Sequence, residues 1–309
     1  MNRRTLLPII LLPVAAAGCA RLAVPSPFNT LAYVATPMPL AVYQVTDTRV
    51  IAVTPPQGDS RAARATEAPV TTASSSMVLH LTLAGRPGGV RTSFDSQSSH
   101  ERVSISTAPG RIRVTGLVKS FEATVSNPVT GEVPLGNDDV AGDVELVIDR
   151  RGIEKTSSFP EFSGAATPFA PLPALAHALF PRLPADGTGP GSSWVDTVTT
   201  TSGWGGLETT LHSVNTYTLA GDTVIDDRVL THIAVTSEVT VEQVMDDSGM
   251  RFAQTMEGSV NGLILWSPER RLVAYAEYER DWRGTTAAKG EESLLDMRIT
   301  GPTTIWLVR

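Results

Sequence analysis

Apolar and polar residues alternate with a period of two along much of this chain. Met77, Leu79, Leu81 and Leu83 alternate with Val78, His80, Thr82 and Ala84, as in a half-buried antiparallel strand. Further strands are expected at 40–54, 102–107, 111–125 and 143–149. Along 229–241 the odd positions Val229, Ile233, Val235, Val239 and Val241 form one apolar face, while His232, Thr236, Glu238 and Thr240 point the other way. Phe252, Met256, Val260, Ile264 and Trp266 share a face with Gly258 and Gly262. Fifteen strand residues at about 3.3 Å each reach roughly 50 Å, so a bend or bulge is expected at the two glycines, and with it a strongly curved sheet. Segments 272–282, 294–299 and 303–308 complete the strands.

One segment carries a helical pattern instead. Over 171–180, Leu172, Leu175, Leu179 and Phe180 fall on one stripe, and Pro181 and Pro184 end it. A Gly- and Pro-rich stretch follows and runs into Trp194. The expected fold is mainly β: curved antiparallel sheets in two β-rich halves, 40–165 and 193–309, with one short helix in the connection, 166–192. Half-barrels are one way to arrange the halves. Gly116 followed by Asn127-Pro128 resembles Gly258 followed by Ser267-Pro268, which leaves open a duplication or two hairpins built by the same turn chemistry. Residues 54–76, poor in bulky apolar side chains, are expected to form a mobile loop.

Composition agrees with a folded body. The 309 residues are 41% hydrophobic and 18% charged, with 25 Gly, 22 Pro and one Cys; this excludes collagen-like, coiled-coil and disulfide-scaffold classes. The net charge of −7 repels polyanions, so no nucleic-acid partner is expected.

The N-terminus changes the picture most. Arg3 and Arg4 precede twelve apolar or Pro residues, Leu6 to Ala17, and then Gly18-Cys19. The run is too short for a bilayer span, which needs about 20 residues, so residues 1–18 are expected to be a cleaved signal peptide. Ala16-Ala17-Gly18-Cys19 resembles the lipobox of bacterial lipoprotein precursors, in which cleavage falls between the small residue and the cysteine. The resemblance implies cleavage between Gly18 and Cys19, diacylglyceryl and palmitate attachment at Cys19, and membrane association through the N-terminal lipid. The alternative is an ordinary secretory signal cut at an Ala-x-Ala-like site. Ala20, where inner-membrane members carry Asp, implies the outer membrane, facing the periplasm. Arg3-Arg4-Thr5-Leu6-Leu7 is similar to a partial twin-arginine signal. Residues 19–39, with Pro25, Pro27, Pro37 and Pro39, are expected to be an extended tether.

No catalytic motif accompanies this address. Gly187-Thr-Gly189-Pro-Gly191-Ser lacks the Lys and the following helix of a phosphate loop. His80, His212 and His232 fall on polar strand faces; two such faces could meet in a metal site or an acid–base pair, but with no carboxylate or Cys partner at ligand spacing solvated positions are expected. Glu277, Glu279 and Asp281 share one face, consistent with paired carboxylates, a calcium site or simply the wet side of a sheet. Asp138-Asp139, Asp226-Asp227 and Asp246-Asp247 fall in turns. All five Trp follow residue 190, and Trp204, Trp266, Phe252 and Met256 are the candidate ligand contacts, Trp266 doubling as a core residue.

The body, with Phe180-Pro-Arg-Leu-Pro184 leading to Gly191-Ser-Ser-Trp194, resembles envelope lipoproteins with no assigned reaction, and its plan is similar to lipoprotein carriers whose unclosed barrels hold acyl chains. The expectation is a non-enzymatic, lipid-anchored envelope protein without cofactor or metal, binding an apolar or lipid-like ligand in a concave sheet. The alternatives are an assembly module that binds an envelope protein, or a hydrolase with no identifiable active site.

Overall fold

The computed structural model describes residues 31–34, 40–54, 70–85, 110–128, 131–163, 172–184, 188–204, 207–247, 250–288 and 295–308, without side chains at 172–173, 202–204, 207, 245–247, 250–252 and 286–288. The lipobox, most of the proline-rich 19–39 stretch and the strand expected at 102–107 lie outside these residues.

The first half of the chain supplies β1 (Leu40–Thr54), β2 (Val70–Gly85), β3 (Arg111–Asn127), β4 (Gly131–Leu135), β5 (Val140–Ala141), β6 (Asp143–Asp149), β7 (Glu154–Ser158) and β8 (Glu161–Phe162). Helix α1 (Leu172–Leu179) follows, and then β9 (Ser193–Trp204), β10 (Leu207–Ile225), β11 (Arg228–Asp247), β12 (Met250–Ser267), β13 (Leu272–Ala288) and β14 (Leu295–Leu307). The protein is therefore mainly β with one helix. Twelve strands form one antiparallel sheet in the order β7-β6-β3-β2-β1-β14-β13-β12-β11-β10-β9, with β4 attached to β3; β5 and β8 pair separately. The sheet is open, ending at β7 and β9. Each half is a meander, and the ladder between β1 and β14 joins them in mid-sheet.

Side chains alternate across the sheet, and one face carries the core. Tyr43, Val45, Met77, Leu79, Phe121, Val235, Ile264, Ala276 and Ile305 are buried on it, while Glu238, Glu257, Glu277 and Arg298 on the other face are exposed. Helix α1 and its continuation lie over the core. Leu175, Ala176, Leu179, Phe180 and Leu183 are all buried in the same cluster as residues of both halves.

Three aromatic donors hold that cover by its carbonyls. Tyr278 donates to Ala178 O at 3.4 Å, Tyr33 to Pro181 O at 3.0 Å and the indole of Trp194 to Arg182 O at 2.7 Å. These acceptors include the carbonyls that a helix C-terminus leaves unpaired. Burial first, and then the neighbouring phenols, push the Tyr33 hydroxyl well above its ordinary pKa, so it stays a neutral donor. Arg151 completes the strap: its amide oxygen accepts from Leu183 N at 2.8 Å and its Nε donates to Leu183 O at 3.2 Å.

Several expectations need correction. Gly258 and Gly262 are not the sites of register shifts; β12 runs through both in register, and its irregularity falls at Leu265/Trp266. They are glycine because the neighbouring strand crowds them with backbone and ring alike: a Cβ would lie 2.1 Å from Asp281 O and 2.9 Å from Trp282 Cδ1 at Gly258, and 2.4 Å from Glu277 O and 2.7 Å from Tyr278 Cδ1 at Gly262. The segments expected at 294–299 and 303–308 are one strand, β14. Its pairing with β1 lapses at Gly301 and Pro302 and resumes in the same register, since proline has no N–H for the ladder. Residues 70–76 belong to β2 rather than to a loop, held by ladders on both sides; pairing outweighs their lack of bulk. Leu31, Ala32 and Tyr33 are buried, so the folded body begins before the expected tether ends. Val229 is exposed because it follows the Asp226-Asp227 turn, whose two positive φ angles of 50° and 60° make the β10–β11 hairpin.

The strap sets a strict demand at Gly152. Its φ is +81°, and a Cβ there would lie 2.7 Å from Pro181 O and 2.8 Å from Tyr33 Cε2. Gly152→Ala is expected to cost at least about 2 kcal/mol, from left-handed strain and displacement of the strap. Urea denaturation followed by tryptophan fluorescence measures it; an unchanged midpoint would show that the strap is not under this constraint.

Candidate ligand-binding site

On β13, Tyr278, Arg280 and Trp282 project to the covered face at i, i+2 and i+4. The neighbouring β14 places Thr303 on that face, and β1 places Asp47 opposite Thr303. Arg280 Nη2 donates to both Asp47 Oδ1 and Thr303 Oγ1. Thr303 in turn donates to Asp47 Oδ1 at 2.5 Å, and Arg49 Nε donates to Oδ2 at 2.6 Å. Asp47 and Arg280 are each only 8% exposed. Burial alone would raise the Asp47 carboxyl, but Arg49, Arg280 and the Thr303 hydrogen bond together hold it below the ordinary range. Burial and the nearby Arg49 lower the Arg280 pKa, against the opposing pull of Asp47 and Glu279.

This pair anchors a polar band. Asp196, Asn215, Ser237, Val260, Arg280 and Gly301 occupy successive paired positions from β9 to β14. Asn215 and Ser237 are buried, as is Ser213 one step along the strand, which accepts from Asn215 Nδ2 at 3.3 Å. Arg182, on the strap, pairs with Asp196 at 2.9 Å. The band separates two apolar clusters. The larger lies under α1. The smaller consists of Val239, Val241, Met256 and Ile299, flanked by Ile51, Leu211, Val260, Trp282 and Met297, and contains no residue of α1.

Trp282 stands where the band meets this second cluster. The Arg280 guanidinium lies 5.6 Å from its ring centroid, a cation–π distance. Its indole Nε1 is buried without a hydrogen-bond partner among the described residues. Such a donor costs about 1–3 kcal/mol when left unpaired. Arg280 donates from Nη2 to Asp47 and Thr303, which leaves the Trp282 N–H as the buried unpartnered side-chain donor among the described residues, beside a buried apolar cluster.

The nominated residues are placed unevenly. Trp266 is core: it is 1% exposed and meets Tyr33 edge-on at 4.9 Å between centroids, so it cannot contact a ligand without displacing Tyr33. Met256 belongs to the second cluster, with Gln254 Nε2 donating to its sulfur at 3.1 Å. The side chains of Trp204 and Phe252, and Gly18 and Cys19, lie outside the described residues. Glu277 accepts from Tyr275 at 2.8 Å and Asp281 is held by Arg298 at 2.8 and 2.9 Å, which makes them parts of the exposed face. His212 pairs with Thr199 at 2.9 Å on that face as well. No three His, Cys, Asp or Glu among the described residues converge on a possible metal position.

Sequence reasoning missed Arg280, Asp47, Ser237 and Asn215. The signal was present as interruption: Ser237 sits between Val235 and Val239 in an otherwise apolar series, and Arg280 must face away from Glu277, Glu279 and Asp281.

No known protein family matches the chain, and no curated protein is significantly similar to it.

Asp47→Ala would leave Arg280 buried without its counter-ion, at an expected cost of about 3–5 kcal/mol. A chemical-denaturation midpoint unchanged from the parent would remove the pair from any structural role. A second expectation concerns His177 on α1, whose Nε2 lies 3.7 Å from a Glu154 carboxylate oxygen. Burial lowers its pKa, outweighing Glu154 and Asp196. The unfolded chain therefore takes up this proton first, near pH 6.5. The stabilising contribution is complete above that pH and is lost as pH falls through the folded value. His177→Gln should flatten this part of the stability–pH profile between about pH 7 and 5.

Proposed function

We propose that the chain is a lipid-anchored, non-enzymatic protein of the bacterial cell envelope that binds an apolar or lipid-like ligand on the covered face of its sheet. The observation that carries the binding reading is the second apolar cluster, which α1 leaves outside its own packing and which borders a buried, unpartnered indole donor. Buried polar groups in folded proteins are overwhelmingly paired, so this donor calls for an acceptor from outside the described residues. The lipobox-like Ala16-Ala17-Gly18-Cys19, containing the chain's single cysteine, supports acylation, and Ala20 supports the outer membrane, with the body in the periplasm.

The alternative role, as an assembly module for an envelope protein, rests on a different feature. The sheet ends at β9, twelve residues long, and an open edge can receive a further strand.

Metabolic labelling with radioactive palmitate tests the anchor: the parent chain takes up label, and Cys19→Ser neither takes it up nor fractionates with membranes. Label at equal level in Cys19→Ser would refute lipidation at that residue. For the ligand, organic extraction of the purified Cys19→Ser chain is expected to release lipid seen by mass spectrometry. A chain that releases none, and that takes up no fluorescent fatty acid after delipidation, does not have this function.

A further inference from the structure

We infer that the face of the sheet opposite α1 docks, at the end where β1 begins and β14 finishes, on the surface of the bilayer that holds Cys19. This rests on the acylation of Cys19 proposed above and adds a second membrane contact to it. Paired positions on that face form two adjacent rows. One joins Leu117 on β3, His80 on β2, Val42 on β1 and Val308, whose amide donates to Val42 O at 2.7 Å. The other joins Val78, Gln44, Trp306, Tyr275 and Leu265, from β2 across to β12. Neither row contains an Asp, Glu, Lys or Arg. Leu117 and Trp306 are each 42% exposed and Val308 is 62% exposed; the Trp306 and Tyr275 rings meet at 5.8 Å between centroids. Single exposed apolar side chains are ordinary on a protein surface, but a contiguous set marks an interaction site.

Polarity along the sheet and the start of the folded body select the bilayer as the occupant. On β13 acids begin only in the next row, at Glu277, and continue through Glu279 and Asp281 toward the other end, so an approach by the apolar end keeps them in water. Trp and Tyr combine an apolar ring with a polar edge, which suits the boundary between headgroups and acyl chains. The chain enters the fold beside this patch. Tyr33 packs on Trp266 under the sheet, and Leu265, next in sequence, belongs to the second row on the far side. Leu40, seven residues after Tyr33, opens β1 at 44% exposure, two positions before Val42. Cys19 precedes Leu31 by twelve residues, and a fully extended chain of that length reaches about 40 Å. An acylated Cys19 therefore holds this end of the sheet close to the membrane, where a contact too weak to bind from solution forms at high effective concentration.

The acylated chain, reconstituted into vesicles of phosphatidylcholine and of phosphatidylcholine with dibrominated acyl chains, tests the contact, because bromine quenches only indoles that reach the acyl chains. The brominated lipid is expected to remove about one fifth of the emission, the share of one Trp among five. Trp306→Phe, which keeps an apolar ring at an exposed position, is expected to abolish that loss. Val308→Asp, which sets a charge two residues away on the same face, is expected to reduce it at least about twofold. A chain that floats with the vesicles but shows no bromine-dependent loss overturns the docking and leaves the anchor standing, as does a loss equal in the parent and in either variant. A parent chain that neither floats with the vesicles nor takes up palmitate overturns both.

Discussion

The ion pair between Asp47 and Arg280 ties the two halves of the chain together at the point where they have least else to hold them. Asp47 lies on β1, from the first meander, and Arg280 on β13, from the second. Between them runs β14, whose ladder to β1 lapses at Gly301 and Pro302. Missing backbone bonds at this seam are offset by a side-chain network: Arg280 and Thr303 on one carboxylate oxygen, Arg49 on the other. A buried pair of this kind is weak evidence of net stability, because desolvation consumes much of the attraction. Its larger effect is on specificity. With Asp47 facing β13, a one-residue slip of β1 against β14 would send the carboxylate to the exposed face and leave Arg280 buried alone.

The same pair explains why the covered face is not one continuous core. An antiparallel sheet with one wet face must bury the other, and here an eight-residue helix with a short strap has to cover eleven strands in sequence. It covers the part on one side of the polar band. Tyr278, Tyr33 and Trp194 fix it there through main-chain carbonyls, which makes its position depend on backbone geometry more than on side-chain fit. Beyond the band the strands continue with apolar residues on the same face, and Val239, Val241, Met256 and Ile299 are buried there in a cluster of their own that contains no residue of α1.

How much of this was legible depended on whether the signal was periodic or relational. The strands at 40–54 and 143–149 and the helix near 171–180 follow from local alternation and from Pro181 and Pro184. Gly258 and Gly262 were visible, but their meaning was not: a glycine that makes room for a Trp or Tyr on the next strand cannot be told from one that bends its own without the register. The split of β14 at Gly301-Pro302 failed for the related reason that a proline is tolerated where the neighbouring ladder lapses. Arg280 and Asp47 escaped notice because a charged residue in a strand is ordinarily assigned to the wet face. Only the alternation of Glu277, Glu279 and Asp281 around Arg280 marked it as facing inward. Trp266 was weighed both as core and as ligand contact, and Tyr33, 233 residues away in sequence, decides between them.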